Sequence, residues 1–278
     1  MKKYIIYILL FALNTIQALT TAQTATSGTY ALDTSKDVGD IPYETKVTPQ
    51  GALTYNVPIE CYPSPSGLQP NISLVYNSMS GNGVAGMGWS IGGLSSISRV
   101  NSSVYYDGKV SAANFSDTCA FTLDGVRLVK KPGTDYLVTE QGNILVKLSN
   151  NQLGTDIRFE VFYPNGSKAV YGDMGLNEPQ LVYPITRMED KLGNYIEYNY
   201  FKDRNVYYVS EINYGANYKN GTSHFASAKF DYSGRTDFYV KYFLGVGLLQ
   251  RKILTSINTY YTDKILKTYL LQHDFDGV

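Results

Sequence analysis

Ile157-Arg158-Phe159-Glu160-Val161-Phe162-Tyr163 alternates apolar and polar residues, stops at Pro164-Asn165-Gly166 and returns as Lys168-Ala169-Val170-Tyr171. Successive side chains of an extended strand point to opposite faces, so this stretch turns one face to a core and the other to water. Asn-Gly between two such runs signals a hairpin, because both residues tolerate positive φ. The unit recurs in Tyr195-Ile196-Glu197-Tyr198-Asn199-Tyr200 and in Tyr207-Tyr208-Val209-Ser210-Glu211-Ile212-Asn213-Tyr214. Asp107-Gly108, Asp124-Gly125, Gly193-Asn194, Asn220-Gly221 and Ser233-Gly234 supply further hairpin signals. Beyond the leader, no stretch holds a 3.6-residue apolar period long enough for a helix of normal length. The expected fold class is therefore all-β, with antiparallel hairpins forming a curved sheet or strip that begins near Leu53.

The flanks have a different character. Met1-Lys2-Lys3 followed by Tyr4 to Leu13 has the charged n-region and short apolar h-region of a secretory signal, with cleavage expected after Ala22. The apolar run is too short to span a bilayer, and nothing after it could. Residues 23–50 are rich in Thr, Ser and Asp without a sustained period, which reads as a flexible or extended arm ahead of a β domain over 51–278. Leu266 to Phe275 reads as an ordinary strand that would normally be covered or paired, so the domain is expected to be incomplete at the C-terminus, as the front of a longer product or of a truncated gene. Export through the Sec route to the medium or cell surface follows.

Charge is balanced, with 24 basic and 24 acidic residues, and no basic run exceeds Lys130-Lys131, which argues against a nucleic-acid partner. Tyrosine is the compositional outlier, at 26 of 278 residues against one Trp and ten Pro, and it favours half-wet sheet faces. Cys61 and Cys119 are the only cysteines. They could form one bridge in an oxidising compartment or remain two buried thiols, and spacing alone leaves both open.

Chemistry-bearing patterns are sparse. Gly81-Asn82-Gly83-Val84-Ala85-Gly86-Met87-Gly88-Trp89 contains a literal GxGxxG, but Ser90-Ile91-Gly92-Gly93-Leu94 cannot open the helix a dinucleotide needs, so no cofactor is expected. These glycines instead suit a tight loop around the lone Trp89. His224, in a loop, and His273, expected on the last strand, have no metal-type spacing, and no GxSxG elbow accompanies them. Glu189-Asp190 and Asp274/Asp276 read as solvated acids, and Asp37, Asp40 and Glu44 match no calcium loop. No catalytic, cofactor-binding or metal-binding residue is assigned, and the chain is not expected to be an enzyme.

One ordered series carries a resemblance. Gly51-Ala52-Leu53-Thr54-Tyr55-Asn56-Val57-Pro58-Ile59 leads to Pro65-Ser66-Gly67-Leu68-Gln69-Pro70 and Leu74-Val75-Tyr76-Asn77-Ser78. The glycine run through Trp89 and Ile97-Ser98-Arg99 follow, then Leu123-Asp124-Gly125-Val126-Arg127-Leu128 and Asp190-Lys191-Leu192-Gly193-Asn194-Tyr195. Together they resemble the SpvB/TcaC-type toxin N-terminal domain family, related to Tc toxin B components and Rhs/YD-repeat proteins, over about residues 51–278. Phe230-Asp231-Tyr232-Ser233-Gly234-Arg235 is weakly similar to a YD-repeat core with its aromatic and acid rearranged. The resemblance implies an architectural role for Pro58, Gly67, Pro70, Tyr76, Gly81, Gly83, Gly86, Gly88, Trp89, Arg99, Asp124, Gly125, Gly193 and Asn194. It also implies protein partners, namely other toxin-complex or Rhs-repeat segments, and a shell around a toxic polypeptide.

The expected function is a non-catalytic structural module of a secreted Rhs/Tc-toxin-like protein. The competing readings are a secreted adhesin or glycan-binding β-protein, motivated by tyrosine, a hydrolase with an unrecognised site, and the remnant of a truncated toxin gene. If Trp89 anchors the glycine loop in a core, Trp89→Ala should cost about 3–5 kcal/mol. Thermal melting reads this directly, and an unchanged curve removes the anchor role.

Overall fold

The computed structural model describes residues 42–274 apart from 117–118, 151–156, 173, 175–179 and 239. The signal segment 1–22 and the arm as far as residue 41 lie outside the described residues. The described chain is β throughout except for one short helical turn.

The first sheet contains β1 (Glu44–Val47), β2 (Leu53–Pro58) and β3 (Ser73–Asn77). Within the glycine run, β4 (Asn82–Gly83) and β5 (Gly86–Met87) form a two-residue ladder before β6 (Trp89–Gly92) returns along β3. The antiparallel order is β1-β2-β3-β6, so pairing already begins at Glu44, ahead of Leu53.

The next eight strands are β7 (Ser96–Val100), β8 (Ala120–Leu123), β9 (Val126–Lys130), β10 (Tyr136–Thr139), β11 (Leu145–Asn150), β12 (Ile157–Phe162), β13 (Lys168–Gly172) and β14 (Val182–Glu189). Each pairs with the next, and β14 also returns to β7 through Val182–Pro184, closing an eight-stranded barrel. At this strand number the interior is just wide enough for side chains to fill it. Ile157, Phe159 and Val161 alternate inward on β12 as their pattern predicts. The Phe159 ring lies 5.1 Å from Phe121 and 5.1 Å from Tyr183.

β14 also founds a second body of sheet. Its residues Arg187–Glu189 pair with β15 (Asn194–Asp203), which continues antiparallel through β16 (Val206–Asn217) and β17 (Ala226–Gly234). A separate hairpin, β18 (Val240–Phe243) and β19 (Val246–Leu249), precedes β20 (Lys252–Tyr261) and β21 (Lys264–Leu270), which complete the strip. The β13–β14 ladder carries a bulge: Tyr171 pairs with Ile185 and Val170 with Arg187, leaving Thr186 unmatched. An extra residue of this kind bends the strand and increases its local twist. The Thr186 hydroxyl donates to the carbonyls of Val170 (3.3 Å) and Gly172 (3.1 Å) at this irregularity.

Two of the six turn pairs do other work. Asp107-Gly108 ends α1 (Val104–Asp107), with Gly108 as its left-handed cap, and Ser233-Gly234 lies at the end of β17. In the first case Ser103 supplies an N-cap for the turn, and in the second Gly234 does not take positive φ. Conversely, Arg204-Asn205 forms a two-residue turn with φ of 49° and 66° that lacks the glycine signal. His273 lies beyond β21 rather than on it, because β21 ends at Leu270.

Arg99, 1% exposed, is the barrel's buried cation. Nε donates to Gln180 O at 2.9 Å, one terminal nitrogen donates to Asn114 O (3.0 Å) and Ser116 O (2.8 Å), and the other donates to Tyr183 Oη (2.9 Å). The guanidinium also sits 5.1 Å from the Phe121 ring centroid. Main-chain carbonyls and ring faces thus solvate a charge that would otherwise be costly to bury. Arg99→Met removes the donor set and strands those acceptors. It should lower stability by about 3 kcal/mol, roughly 10 °C in Tm, measured by circular dichroism melting.

Candidate functional site

The described chain presents an architectural joint where the first sheet meets the strip, and the glycine run is its centre. β3 and β6 pair through Tyr76 and Trp89, and the loop between them folds onto its own return strand. Gly83 has no space for a side chain, since a Cβ there would fall 1.9 Å from Trp89 O. Gly88 takes φ of +75°, and a Cβ would meet the Tyr76 ring at 2.5 Å. The literal GxGxxG is thus a pair of close backbone approaches in a β loop.

Arg235 locks this loop to the strip. It follows β17, and its side chain is almost wholly buried, whereas that of its partner Asp237 is 43% exposed. Nε and one terminal nitrogen donate to the two Asp237 carboxylate oxygens at 2.8 and 2.7 Å, a fork geometry that adds directionality to charge. The other terminal nitrogen donates to Gly83 O at 2.8 Å, and the Asn82 side-chain oxygen accepts a further bond from the guanidinium. Asn82 Nδ2 in turn donates to the Asp237 carboxylate at 2.7 Å. The hydrogen bonds from Arg235, foremost, and from Asn82 hold the Asp237 carboxyl far below the usual carboxylate range. Nearby, Leu254 N donates to Val84 O at 2.8 Å, and His273 Nε2 lies 2.7 Å from Leu254 O.

Trp89 is half-buried, 5.3 Å from the Tyr76 ring and 6.0 Å from Tyr55, which stacks on Tyr43. A second tie lies along the segment after β2, where Ile59 N donates to Ile72 O and Glu60 N to Tyr269 Oη. Tyr214 Oη donates to Tyr62 O at 2.9 Å, while the Tyr62 ring stacks on Tyr261 at 4.0 Å.

The remaining motif residues lie at turns and strand ends. Pro58 ends β2, Gly67 (φ +76°) and the buried Pro70 lie in the connection to β3, and Gly81 O accepts from Gly88 N. Gly86 lies beside His273. Asp124 and Gly125, with φ of 49° and 83°, form the two-residue turn between β8 and β9. The Asp124 carboxylate also accepts from Ser95 Oγ (2.6 Å) and Ser96 N (2.8 Å), joining that turn to β7. Gly193 and Asn194 form the β14–β15 corner, with Asn194 Nδ2 donating to Asp190 at 2.7 Å. Arg99 alone of the set enters the barrel, and Arg235, which completes the joint, belongs to the weak YD-like segment and not to the main motif.

His273, Asp237 and Asp274 line a cleft beside Trp89 and Arg235. Cys61 and Cys119 are free thiols, and burial pushes Cys61 up to about 11. His224 Nε2 lies 3.8 Å from Glu197, and burial lowers its affinity for a proton. Among the described residues no group of three His, Cys, Asp or Glu is arranged to hold a metal ion. Glu44 pairs with Lys46, whereas Asp37, Asp40 and Asp276 lie outside the described residues.

A carboxyl held low in the folded state stabilises the fold above its unfolded pKa, near 3.9, and loses that contribution as pH falls toward the folded value. Asp237→Asn should therefore be less stable than the parent at neutral pH, with the difference shrinking below about pH 4. Urea unfolding at the two pH values checks this; an equal difference at both would contradict it.

The comparisons fit this architecture. Residues 47–131 match the model of the family described as Salmonella virulence plasmid 65kDa B protein. No curated protein matches the chain by sequence. The N-terminal domain of effector protein SpvB from Salmonella typhimurium strain LT2 is similar in structure, with TM-score 0.61 and 18% identity, covering 78% of this chain and 94% of that one. The crystal structure of TcdB2-TccC3 is similar over 81% of this chain, with TM-score 0.65 and 16% identity. The Photorhabdus luminescens Tc holotoxin pore is similar over 83%, with TM-score 0.59 and 15% identity. This chain spans 14% of the TcdB2-TccC3 chain and 14% of that holotoxin chain. By motif over residues 47–131 and by fold over most of its length, the chain resembles the family of the SpvB N-terminal domain and the Tc toxin shell.

Proposed function

We propose that this chain is a non-catalytic structural module of a secreted Rhs/Tc-toxin-like protein, contributing β-shell that encloses or presents a toxin polypeptide. One observation carries the reading: barrel and strip are a single antiparallel sheet whose seam is closed at β14, leaving β21 as the outer edge among the described residues. A wall needs such continuity and one edge on which to continue. On β21, Ile265, Leu266 and Leu270 are exposed, whereas the Glu60 segment already ties it through Lys267 and Tyr269. An exposed strand edge with apolar side chains suits addition of a strand from a neighbouring toxin-complex or Rhs-repeat segment.

In this role the partners are protein, no cofactor is used, and the motif residues serve the joint and the turns. The leader over residues 1–22 supports export by the Sec route, and the mature chain works in the medium or at the cell surface.

Replacing the structurally matched stretch of TcdB2-TccC3 with residues 42–274 tests the role. A chimera with a cooperative melt should keep its C-terminal polypeptide as resistant to added protease as that of unaltered TcdB2-TccC3 digested alongside it. Digestion of that polypeptide at the rate of a free chain, in a folded chimera, would overturn the proposal.

A further inference from the structure

The first sheet ends on a strand edge that stays unpaired among the described residues. β1 lies outermost in the order β1-β2-β3-β6, and all four of its residues are exposed. The turn that follows it decides which main-chain groups face outward. Thr48 N donates to Ala52 O at 2.8 Å, whereas Ser78 takes both Leu53 groups, its Oγ accepting from Leu53 N and its N donating to Leu53 O, each at 2.9 Å. Val47 and Leu53 are thus opposed without mutual main-chain bonds, and in an antiparallel ladder such pairs alternate with bonded ones. Glu44 and Lys46 therefore turn their N–H and C=O groups to β2, while Tyr43, Thr45 and Val47 turn theirs to the free edge.

The side chains along this edge complement themselves. Glu44 and Lys46 share the polar face and pair with each other at 3.0 Å, an exposed contact worth little. Tyr43 and Val47 lie on the other face, 57% and 70% exposed, beside Tyr55 and Leu53. About a twofold axis at Thr45, an antiparallel second copy sets Glu44 against Lys46, Lys46 against Glu44, Tyr43 against Val47 and Thr45 against Thr45. Opposite charges, an aromatic with a β-branched residue, and Thr with Thr are the cross-strand pairs that stabilise a sheet. The nearest registers that keep outward groups opposed place the axis at Glu44 or at Lys46, and each sets like charges against each other. A lysine on an edge ordinarily discourages pairing, but here Glu44 of the second copy meets it.

We propose that β1 is an isologous interface at which two copies of this chain join antiparallel about Thr45, merging their two four-stranded sheets into one. The occupant is a second copy because the stretch Tyr43 to Val47 matches its own reverse in charge and in pair type. The interface lies on a different sheet from β21 and stands independently of the shell reading.

Sedimentation velocity of the full exported chain over a concentration series reads the association. A dimer should form below about 1 mM and weaken as salt screens the exposed charge pairs. Thr45→Pro removes the outward N–H at the axis without taking a bond from β2, and should weaken the dimer about tenfold while the melt stays cooperative. Glu44→Lys alone and Lys46→Glu alone should each lose the dimer, since each sets like charges across the axis. An equimolar mixture of the two variants should associate as the parent does, because opposite charges meet again. Parent protein that remains monomeric up to about 1 mM would overturn the proposal. A dimer that survives Thr45→Pro, as one built on β21 would, or folded charge variants that fail to associate when mixed, would overturn it equally.

Discussion

A strand has two hydrogen-bonding edges, and β14 must satisfy three neighbours with them. Val182–Pro184 pair with β7, Ile185–Glu189 with β13, and Arg187–Glu189 also with β15. The strand divides its length among them, with β7 along Val182–Pro184 and β15 along Arg187–Glu189, and the unmatched Thr186 lies between the two stretches.

Two buried arginines then fix what the ladders leave open. Arg99 converts loop carbonyls at Asn114, Ser116 and Gln180 into ligands of one guanidinium inside the barrel. Arg235 does the same for the glycine loop, with Asp237 as its counter-ion. Both use the planar fork of arginine, which a lysine could not reproduce at several acceptors at once. Around them the tyrosines fill sheet faces with half-polar rings, and burial pushes that of Tyr198 up to about 12.

Much of this was legible in the chain itself. The alternation of β12, the two-residue turn at Asp124-Gly125 and the β14–β15 corner at Gly193-Asn194 are local, and local sequence carries them. Barrel closure was not legible, because the pairing of β7 with β14 joins residues more than eighty positions apart. Arg235 was hidden for a related reason: its partners Asn82 and Gly83 are distant in sequence, and its segment matched the repeat pattern only weakly. Asp107-Gly108 misled because a left-handed glycine caps a helical turn as readily as it turns a hairpin.

The central claim is that this chain is a stretch of wall, rigid through β14 and completed by another polypeptide at β21. Electron cryomicroscopy of the product purified from the producing cells' medium tests it most directly. The account predicts residues 42–274 as one segment of a larger curved β-wall, with a strand of neighbouring polypeptide paired along β21. Particles in which the chain stands alone, with β21 unpaired and no enclosing sheet, would contradict it.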